Sequence, residues 1–371
     1  MFAGALRPAA DITRAYTCGY AHVRARAPPE RSQVTRLLIR SETAPENSID
    51  PGCRHLYGQG VIDRFLSKGQ AADILRPIWP DVLVTEVRAR TAGQLSSVYE
   101  VRSAAPVEAV IVKVYADQWR WKQAKEVFVY RLLSAHGVGP VPVILRVEPD
   151  TALFGYAFTV MTVLPGVPLS HVSADLDGEQ TARIYRRLGA TLGAIHRIGQ
   201  VTYGYLTTRI LDPEPDNTAY MTRQFAKKLA EFEELGGDPE LHAGIRNYVA
   251  KQADLFRRCE APVLCHNDFH EGNVLVEHRG DGWEVSGFID VENAVAADPL
   301  LDVAKTDYYA VQGDPVKRSA LVGGYGPMPE DWAARLVLYR LYHALELWDW
   351  FAAIGEVAPL SGIAADIRRM V

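Results

Sequence analysis

Residues 264–276 read LCHNDFHEGNVLV, and residues 288–290 read FID. The polar residues of this sequence are flanked by apolar runs that have the character of strands. Burying so many ionisable and amide groups without partners would cost folding free energy. We therefore expect these groups to have partners or ligands, which makes the segment the first candidate for a functional site.

The spacing within this segment is typical of phosphoryl transfer. Asp268 and Asn273 are five residues apart, and Asp290 follows seventeen residues later at the end of the second apolar run. A phosphoryl-transfer site needs one carboxylate for the attacking hydroxyl and oxygen ligands for Mg²⁺. We expect Asp268 to be the catalytic carboxylate and Asn273 and Asp290 to bind Mg²⁺. His266 is expected to brace the loop by hydrogen bonds rather than to transfer protons.

A lysine in a predicted strand fits the same chemistry. Lys113 is the only charged residue of the apolar run AVIVKVY, at residues 109–115, and Glu126 follows thirteen residues later in a predicted helix. A strand lysine whose position is fixed by an ion pair with a helix glutamate can bind nucleotide phosphates. A solvated lysine and an exposed helix glutamate are the alternative, and the downstream polar segment favours the pair.

The turn before that strand is a second candidate for phosphate contacts. Residues 91–99 link two predicted strands and include Ser96 and Ser97. Backbone N–H groups and serine hydroxyls of such a turn can cover phosphates. The turn has one glycine and falls short of GxGxxG, so an ordinary hairpin explains it equally well.

The order of predicted elements indicates an α+β plan with two lobes. The expected strands are residues 81–87, 98–101, 109–114, 141–147 and 158–164, and the expected helices are residues 61–74, 119–136, 179–197, 220–235, 241–258 and 332–353. The chain breaks at Pro165-Gly166, after which helices dominate. We expect a flexible N-terminal extension over residues 1–57, a nucleotide-binding lobe over 58–164 and a catalytic and acceptor-binding lobe over 165–371.

Charge is unevenly distributed over the 371 residues. The first 150 residues contain 20 Lys and Arg against 15 Asp and Glu, whereas the remaining residues contain 20 against 30. An acidic C-terminal half disfavours nucleic acid as a partner and attracts a cationic small molecule. A solubilising surface explains the same charge equally well.

Cysteine usage and hydropathy favour the cytoplasm. Cys18, Cys53, Cys259 and Cys265 are scattered without a CxxC pair, which is typical of a reducing compartment. No stretch approaches the roughly 18 uninterrupted apolar residues of a membrane span. The N-terminus also lacks the apolar stretch of a secretory signal. We therefore expect a cytoplasmic protein without membrane contacts; the sequence does not indicate its oligomeric state.

Residues 264–276 and 288–293 resemble the catalytic and metal-binding segments of the aminoglycoside phosphotransferase and choline kinase group. The following ADPLLDVA, at residues 297–304, is similar to the next segment of that family, and the resemblance extends from about residue 61 to about residue 355. It implies a protein-kinase-like fold, with a small five-stranded antiparallel N-terminal lobe that has one helix and a larger, mainly α-helical C-terminal lobe.

The resemblance also implies residue roles. It assigns the catalytic position to Asp268 and the two metal positions to Asn273 and Asp290. It assigns the ion pair to Lys113 and Glu126. The implied cofactors are ATP, with GTP as an alternative, and Mg²⁺.

By the same similarity, residues 161–166 form the hinge whose backbone binds the adenine, so Thr162 and Leu164 are candidate nucleotide contacts. Asp298 and Asp302 are expected to support the catalytic loop rather than to touch substrate.

Two positions depart from the family pattern. Glu271 stands where many relatives have proline, which we expect to affect the rigidity of the loop more than its chemistry. Asn267 replaces a frequent glycine, so we expect that this backbone position does not adopt a conformation that only glycine tolerates.

Two other classes of function fit part of the pattern. The HxDxH spacing of His266, Asp268 and His270 could ligate zinc in a metallohydrolase. That hypothesis leaves Asn273 and Asp290 unexplained. A non-catalytic nucleotide-binding module is the second alternative, although the catalytic positions are filled. A P-loop protein is excluded because GxxxxGK[ST] does not occur.

The acceptor is the least defined part of the prediction. The expected helix YRLYHALELWDWF, at residues 339–351, carries aromatic and acidic residues on neighbouring turns. Glu346 or Asp349 could face the acceptor cleft and bind an amine or a hydroxyl-rich sugar, whereas solvated acids explain the pattern as well. We expect O-phosphorylation of a small hydroxylated molecule, with an aminoglycoside-type antibiotic as the first guess. Other small alcohols, choline-like amines, sugars and macrolides remain open.

Overall fold

The computed structural model describes residues 66–92, 96–149 and 155–371. The extension predicted for residues 1–57 lies outside these residues, as does the start of the helix predicted at residue 61. The proposed division of the chain at residues 57 and 164 stays a prediction.

The N-terminal lobe is built on a five-stranded antiparallel sheet with the strand order β1-β2-β3-β5-β4. Helix α1 precedes the sheet, and α2 connects β3 to β4. The elements are α1 Lys68–Leu75, β1 Val84–Ala92, β2 Ser96–Ser103, β3 Ala109–Tyr115, α2 Arg120–Ala135, β4 Ile144–Glu148 and β5 Ala157–Thr162.

Alternation along β3 decides which residues reach the core of this lobe. Val110, Val112 and Val114 are buried in one apolar cluster with residues of α1, such as Leu75. Successive side chains of a strand point to opposite faces. Lys113 therefore lies on the other face of the sheet, the face against which α2 packs.

The C-terminal lobe is mainly helical. Its helices are α3 Gly178–Ile195, α4 Asn217–Glu234, α5 Pro239–Gln252, α6 Pro299–Thr306, α7 Pro315–Tyr325, α8 Trp332–Ala353 and α9 Leu360–Met370. Helices α3 to α7 each begin after an aspartate whose side chain accepts a hydrogen bond from a backbone N–H of the first turn, which stabilises a helix N-terminus. The predicted two-lobed, protein-kinase-like α+β fold is confirmed.

Two small sheets position the polar segment. The three-stranded sheet has the order β11-β10-β6 and the four-stranded sheet the order β8-β7-β12-β9. Their strands are β6 Val167–Pro168, β7 Tyr203–Leu206, β8 Ile210–Glu214, β9 Val263–Cys265, β10 Val274–Arg279, β11 Gly282–Phe288 and β12 Val295–Ala297. The antiparallel hairpin of β10 and β11 pairs Val274 with Phe288, so the residue before β10 lies beside the residues after β11.

The predicted break at Pro165-Gly166 is a fixed connection between the lobes. Gly166 has a φ of +100°, and a Cβ atom at this position would lie 2.2 Å from the carbonyl oxygen of Val276 on β10. The Oγ of Ser286 on β11 donates a hydrogen bond of 2.6 Å to the carbonyl oxygen of Pro165. Only glycine fits this conformation at this distance, so the connection is held against the β10–β11 hairpin.

Most predicted elements are present with shifted ends. The helix predicted at 332–353 has those bounds, whereas the strand predicted from residue 81 begins at Val84. The helix predicted at 241–258 ends at Gln252 and continues as a 3₁₀ turn, Ala253–Arg258. Helices α6, α7 and α9 were not predicted. Helix α6 has only eight residues, fewer than the roughly 11 over which a helical period can be recognised in a sequence.

No helix among residues 66–92, 96–149 and 155–371 is long and apolar enough to cross a bilayer.

Candidate active site

The loop between β9 and β10 carries the polar segment, and side chains of α6 hydrogen-bond to its backbone. The carboxylate of Asp302 accepts hydrogen bonds from the backbone N–H groups of His266, at 2.7 Å, and Asn267, at 2.9 Å. Thr306 Oγ1 donates to the carbonyl oxygen of Phe269 at 2.8 Å. Asp302 is fully buried and also contacts Nε2 of His196 at 3.1 Å. These contacts fix the backbone on both sides of Asp268.

Two amides hold the carboxylate of Asp268. Its Oδ2 accepts hydrogen bonds from Nδ2 of Asn273, at 3.3 Å, and from Nδ2 of Asn293, at 3.2 Å. Its Oδ1 lies 3.6 Å from Nε2 of His270, and about a fifth of the side chain is exposed, 22%. One oxygen is thus fixed by the protein, while the other can accept a hydrogen bond from a ligand.

The β10–β11 hairpin brings Asn273 and Asp290 together. Asn273 precedes β10, Asp290 follows β11, and the backbone N–H of Ile289 donates to the carbonyl oxygen of Asn273 at 2.9 Å. The Nδ2 of Asn273 donates to the backbone oxygen of Asp268 at 2.9 Å as well as to its carboxylate. The amide nitrogen is therefore directed at Asp268, which leaves the amide oxygen of Asn273 for another ligand.

Asp290 has the properties expected of a cation ligand. Its φ is +64°, in the left-handed region, and its backbone N–H donates to the hydroxyl of Tyr130 at 3.0 Å. Its Oδ1 is covered and has no hydrogen-bond partner among the described residues, although 40% of the side chain is exposed. Burial raises the pKa of Asp290 to about 7, against the opposing charge of Lys113, which lies 3.7 Å away. An orphaned carboxylate oxygen near an amide oxygen fits Mg²⁺.

Lys113 and Glu126 form the predicted ion pair. The Nζ of Lys113 lies 3.1 Å from Oε1 and 3.0 Å from Oε2 of Glu126, and Oε2 also accepts a hydrogen bond of 2.5 Å from the hydroxyl of Tyr115. Burial alone would lower the pKa of Lys113, but the carboxylates of Glu126, Glu292 and Asp290 raise it well above its usual value. The lysine is only 7% exposed, but these carboxylates keep it charged where β3 meets the loop that carries Asp290.

Ser96 and Ser97, the predicted phosphate contacts, lie at the start of β2. Ser96 pairs with Tyr115 and Ser97 with Val114, but residues 93–95 of their turn lie outside the described residues. Ser97 is 3% exposed and shares a strand face with Val114, opposite to that of Lys113.

Thr162 and Leu164 lie at the connection between the lobes. Thr162 Oγ1 accepts a hydrogen bond of 2.9 Å from the backbone N–H of Val143. A methyl carbon of Leu164 lies 2.8 Å from the position of a Cβ at Gly287 on β11, so Leu164 contacts the hairpin of the catalytic loop.

His266 makes the contacts of a bracing residue. It is 2% exposed, its ring packs edge-on against Phe269, and its Nε2 lies 3.2 Å from the carbonyl oxygen of Ile289. Burial lowers its pKa. Its donor atoms do not converge with those of Asp268 and His270 within 4.8 Å, as a zinc site would require.

The described residues do contain one group of potential ligands whose donor atoms converge within 4.8 Å, and it is a different one: His196, Cys265 and Asp302. The zinc hypothesis for the HxDxH spacing was wrong.

Asp302 holds the loop between β9 and β10, whereas the side chain of Asp298 is bonded within α6 and to α8. Asp298 caps α6 through the backbone N–H of Leu300, at 2.9 Å, and is bound by the guanidinium of Arg335 and the hydroxyl of Tyr339. It is fully buried and therefore out of reach of a substrate.

The two acidic residues of α8 are engaged by lysines of this chain. Glu346 Oε2 lies 3.0 Å from Nζ of Lys305 and 3.1 Å from Nδ1 of His343. Burial alone would lower the pKa of Lys305, but the negative charges of Glu346 and then Asp268 raise it. Asp349 is only 3% exposed and lies 3.8 Å from Nζ of Lys228.

The two departures from the family pattern have structural reasons. The carboxylate of Glu271 accepts hydrogen bonds from the hydroxyl of Tyr185, at 2.6 Å, and from Nζ of Lys317, at 2.9 Å, so it ties the loop to α3 and α7. Asn267 has a φ of +59°. This is the left-handed region, which favours glycine but which asparagine also adopts readily.

Sequence reasoning missed four residues with contacts at or near the candidate site: Lys122, Glu292, Asn293 and Lys305. Glu292 and Asn293 directly follow the polar segment, so their position after Asp290 was an available signal. Lys122 stands four residues before Glu126, on the same face of a helix. Lys305 gave no local signal.

Asp268, Asn273, Asp290 and Lys113 converge in a protein-kinase-like fold, an arrangement typical of phosphotransferases. The model of the phosphotransferase enzyme family matches residues 86–338, and the chain belongs to this family. No curated protein matched the sequence.

Solved structures share this fold at low identity. A thermostable mutant of aminoglycoside phosphotransferase APH(4)-Ia, in ternary complex with AMP-PNP and hygromycin B, is 15% identical, with a TM-score of 0.59 over 81% of this chain and 97% of that chain. A putative fructosamine-3-kinase from Haemophilus somnus 129PT is 15% identical, with a TM-score of 0.58 over 81% and 96%. The GDP complex of aminoglycoside 2'-phosphotransferase-IIIa is 12% identical, with a TM-score of 0.59 over 82% and 98%. These likenesses establish the fold.

Proposed function

We propose that the protein uses ATP and Mg²⁺ to phosphorylate a hydroxyl group of a small molecule. The observation that carries the proposal is the convergence of one oriented carboxylate, Asp268, with an orphaned carboxylate oxygen of Asp290 and the buried ammonium of Lys113. Phosphoryl transfer needs these three functions: orientation of the nucleophile, binding of the metal and binding of the phosphates.

Asp268 would orient the acceptor hydroxyl. Two amides hold Oδ2, so Oδ1 is the oxygen that can accept the hydrogen of the hydroxyl. The acceptor oxygen bonds to the γ-phosphorus, the bond from this phosphorus to the β–γ bridging oxygen breaks, and the proton passes to Asp268 as the nucleoside diphosphate leaves. In a loose transition state the proton leaves late, so orientation is the main contribution of this carboxylate.

Lys113, Asn273 and Asp290 would bind the nucleotide end of the site. Asn273 and Asp290 would hold Mg²⁺, which would offset the negative charge of the nucleotide phosphates. Lys113 is fixed by Glu126 at 3.0 Å and presents its remaining N–H donor to the phosphates. GTP remains the alternative donor, since one structural neighbour is a GDP complex.

The proposal is tested by an assay of ADP release with a panel of hydroxyl acceptors and by mass spectrometry of the products. Asp268→Asn keeps the size of the side chain and removes the carboxylate. We expect it to lower kcat by about 10²- to 10⁴-fold. Asp281→Asn is the matched control, because Asp281 is exposed in the turn between β10 and β11.

The control variant should retain wild-type kcat. The proposal fails if no acceptor is phosphorylated by the wild-type protein and Asp268→Asn leaves any background ATP hydrolysis unchanged.

An aminoglycoside-type antibiotic is the first candidate acceptor. Residues 151–371 carry 20 Lys and Arg against 30 Asp and Glu, a charge that attracts a polyamine. Glu346 is linked to the catalytic site through Lys305, and a quarter of its side chain, 26%, is exposed. The neighbour that was solved with hygromycin B supports the same class.

A less cationic sugar or alcohol is the second candidate. The observation that favours it is that Lys305 and His343 already bind Glu346, and that Asp349 is buried beside Lys228. A carboxylate whose charge is balanced by a lysine offers less attraction to a second ammonium. The fructosamine-3-kinase neighbour is compatible with this class.

Paired acceptors decide between the two candidates. An aminoglycoside is compared with the same compound after N-acetylation, which removes the charges and keeps the hydroxyl groups. A higher kcat/KM for the free amine supports the first candidate. An equal or higher value for the acetylated compound, or turnover only with neutral sugars, supports the second.

A further inference from the structure

Glu292 is a buried carboxylate that binds two lysines at once. It lies in the 3₁₀ turn Val291–Asn293, two residues after Asp290, and is 7% exposed. Its Oε2 is 3.2 Å from Nζ of Lys113, and its Oε1 is 2.9 Å from Nζ of Lys122. Each oxygen thus has its own ammonium.

The two lysines belong to the N-terminal lobe, whereas Glu292 belongs to the loop that carries Asp290. Lys113 lies on β3 and Lys122 in the first turn of α2, one turn before Glu126. The Nζ of Lys122 also lies 5.1 Å from the ring centroid of Trp119, which helps to fix its side chain. The contacts of Glu292 therefore join the lobes at the candidate metal site.

Glu292 also helps to set the position of the Lys113 ammonium group. Glu126 and Glu292 bind it at 3.0 and 3.2 Å, while Asp290 is farther away, at 3.7 Å. A buried ammonium that loses one carboxylate moves towards the next one. Without Glu292, the next carboxylate is Asp290, whose oxygen would then be paired with Lys113 instead of a cation.

We propose that Glu292, fixed by Lys122, is a positioning residue that keeps Lys113 off Asp290, so that this carboxylate stays available for Mg²⁺ and Lys113 for the nucleotide. This inference rests on the proposed use of Mg²⁺ and a nucleoside triphosphate. Glu292 acts through Lys113 and does not itself contact the cation.

The test measures binding of AMP-PNP by calorimetry at stepped concentrations of MgCl₂, together with KM for ATP and kcat. Glu292→Gln keeps the size of the side chain, and we expect it to raise both the half-saturating Mg²⁺ concentration and the Kd of AMP-PNP by about 10-fold. The KM for ATP rises in parallel, and kcat at saturation stays within about twofold.

Lys122→Met removes the charge and keeps the contact with Trp119. We expect the same direction with a smaller effect, of about threefold, because Glu292 then loses one of its two anchors. The double variant should be no worse than Glu292→Gln alone, since both changes act on one network. Glu292→Asp should recover part of the loss, and the matched control Glu284→Gln, at an exposed position of β11, should bind as the wild type does.

Two results would overturn the inference while the proposed function stands. One is unchanged binding in Glu292→Gln. The other is weaker binding in Glu292→Gln with unchanged or tighter binding in Lys122→Met, because Glu292 would then be a direct ligand of the cation. If the wild-type protein itself does not bind AMP-PNP with MgCl₂, the proposed function fails and this inference fails with it.

Discussion

Asn293 Nδ2 donates a hydrogen bond of 3.2 Å to the Oδ2 of Asp268 from the turn that follows Asp290. The same oxygen accepts a second hydrogen bond from Asn273, at 3.3 Å. A carboxylate with two donors on one oxygen cannot rotate freely, so its other oxygen keeps a fixed direction. The candidate catalytic residue is thus oriented by both segments that supply the candidate metal ligands.

Asn293→Ala should therefore slow the chemical step. We expect kcat to fall by about 10-fold with the KM for ATP unchanged, because the orientation of the hydroxyl matters in the transition state while the nucleotide contacts remain. The measurement is steady-state kinetics of ADP release with the best acceptor of the panel.

The control for this change is Asn247→Ala, since Asn247 is exposed on α5. If Asn293→Ala kept wild-type kcat, the amide of Asn273 alone would suffice to orient Asp268.

Lys317→Met should lower the stability of the protein. Lys317 binds the carboxylate of Glu271 at 2.9 Å, and Glu271 is 8% exposed. The variant would leave this carboxylate with the hydroxyl of Tyr185 as its remaining side-chain donor. We expect a loss of about 1–3 kcal/mol in the free energy of unfolding, which is typical of a buried charged group that loses a partner.

The thermal midpoint of Lys317→Met is compared with that of Lys251→Met, an exposed lysine near the end of α5. Equal midpoints for the two variants would mean that the Glu271 anchor adds no stability.

Local patterns made most of the fold predictable. Helix α8 has the predicted bounds because its apolar residues recur at helical spacing over 22 residues. Strand β3 was predictable from its run of apolar residues. Lys113 is the one charged residue of that run, and it marks the candidate site. Helix α6 was missed because eight residues are too few to show a helical period, although Asp298-Pro299 is a typical start of a helix.

The candidate site was predictable as far as its residues are close in sequence. Asp268, Asn273 and Asp290 lie within one hairpin, so their spacing alone predicts a shared site. Lys122 and Glu292 are 170 residues apart, and Lys305 and Glu346 are 41 apart. Which side chains meet over such separations depends on how the lobes and helices pack, and this is not encoded in any local period.

Glu346→Gln tests the acceptor proposal. Burial alone would raise the pKa of Glu346, but Lys305 and the hydrogen bond from His343 hold it well below its usual range, so the residue is charged. For a cationic acceptor, we expect KM to rise by about 10-fold, and for a neutral acceptor by less than about twofold. Competition assays with paired amine and N-acetylated acceptors provide the measurement.

The matched control for this change is Glu330→Gln, an exposed glutamate before α8. An equal loss for cationic and neutral acceptors would show that Glu346 supports the site through Lys305 and does not select charge.

Asp349→Asn should change how stability depends on pH. Burial raises the pKa of Asp349 to about 8, against the opposing charge of Lys228, and neither carboxylate oxygen has a hydrogen-bond partner among the described residues. Lys228 lies 3.8 Å away and is also paired with Glu231. Between about pH 4, the usual pKa of an unfolded aspartate, and pH 8 the folded protein keeps this proton and the unfolded chain releases it. The wild-type protein therefore loses stability as the pH rises through this window.

An asparagine does not titrate, so the variant lacks this loss. We expect the wild-type free energy of unfolding, relative to that of Asp349→Asn, to fall by about 1–3 kcal/mol between pH 5 and pH 8 and to level off above pH 9. Thermal midpoints of the two proteins at pH 5, 6.5, 8 and 9 would measure the difference, and other titrating groups cancel because both proteins carry them. Parallel curves over the whole range would mean that Asp349 is ionised in the folded state and is paired with Lys228.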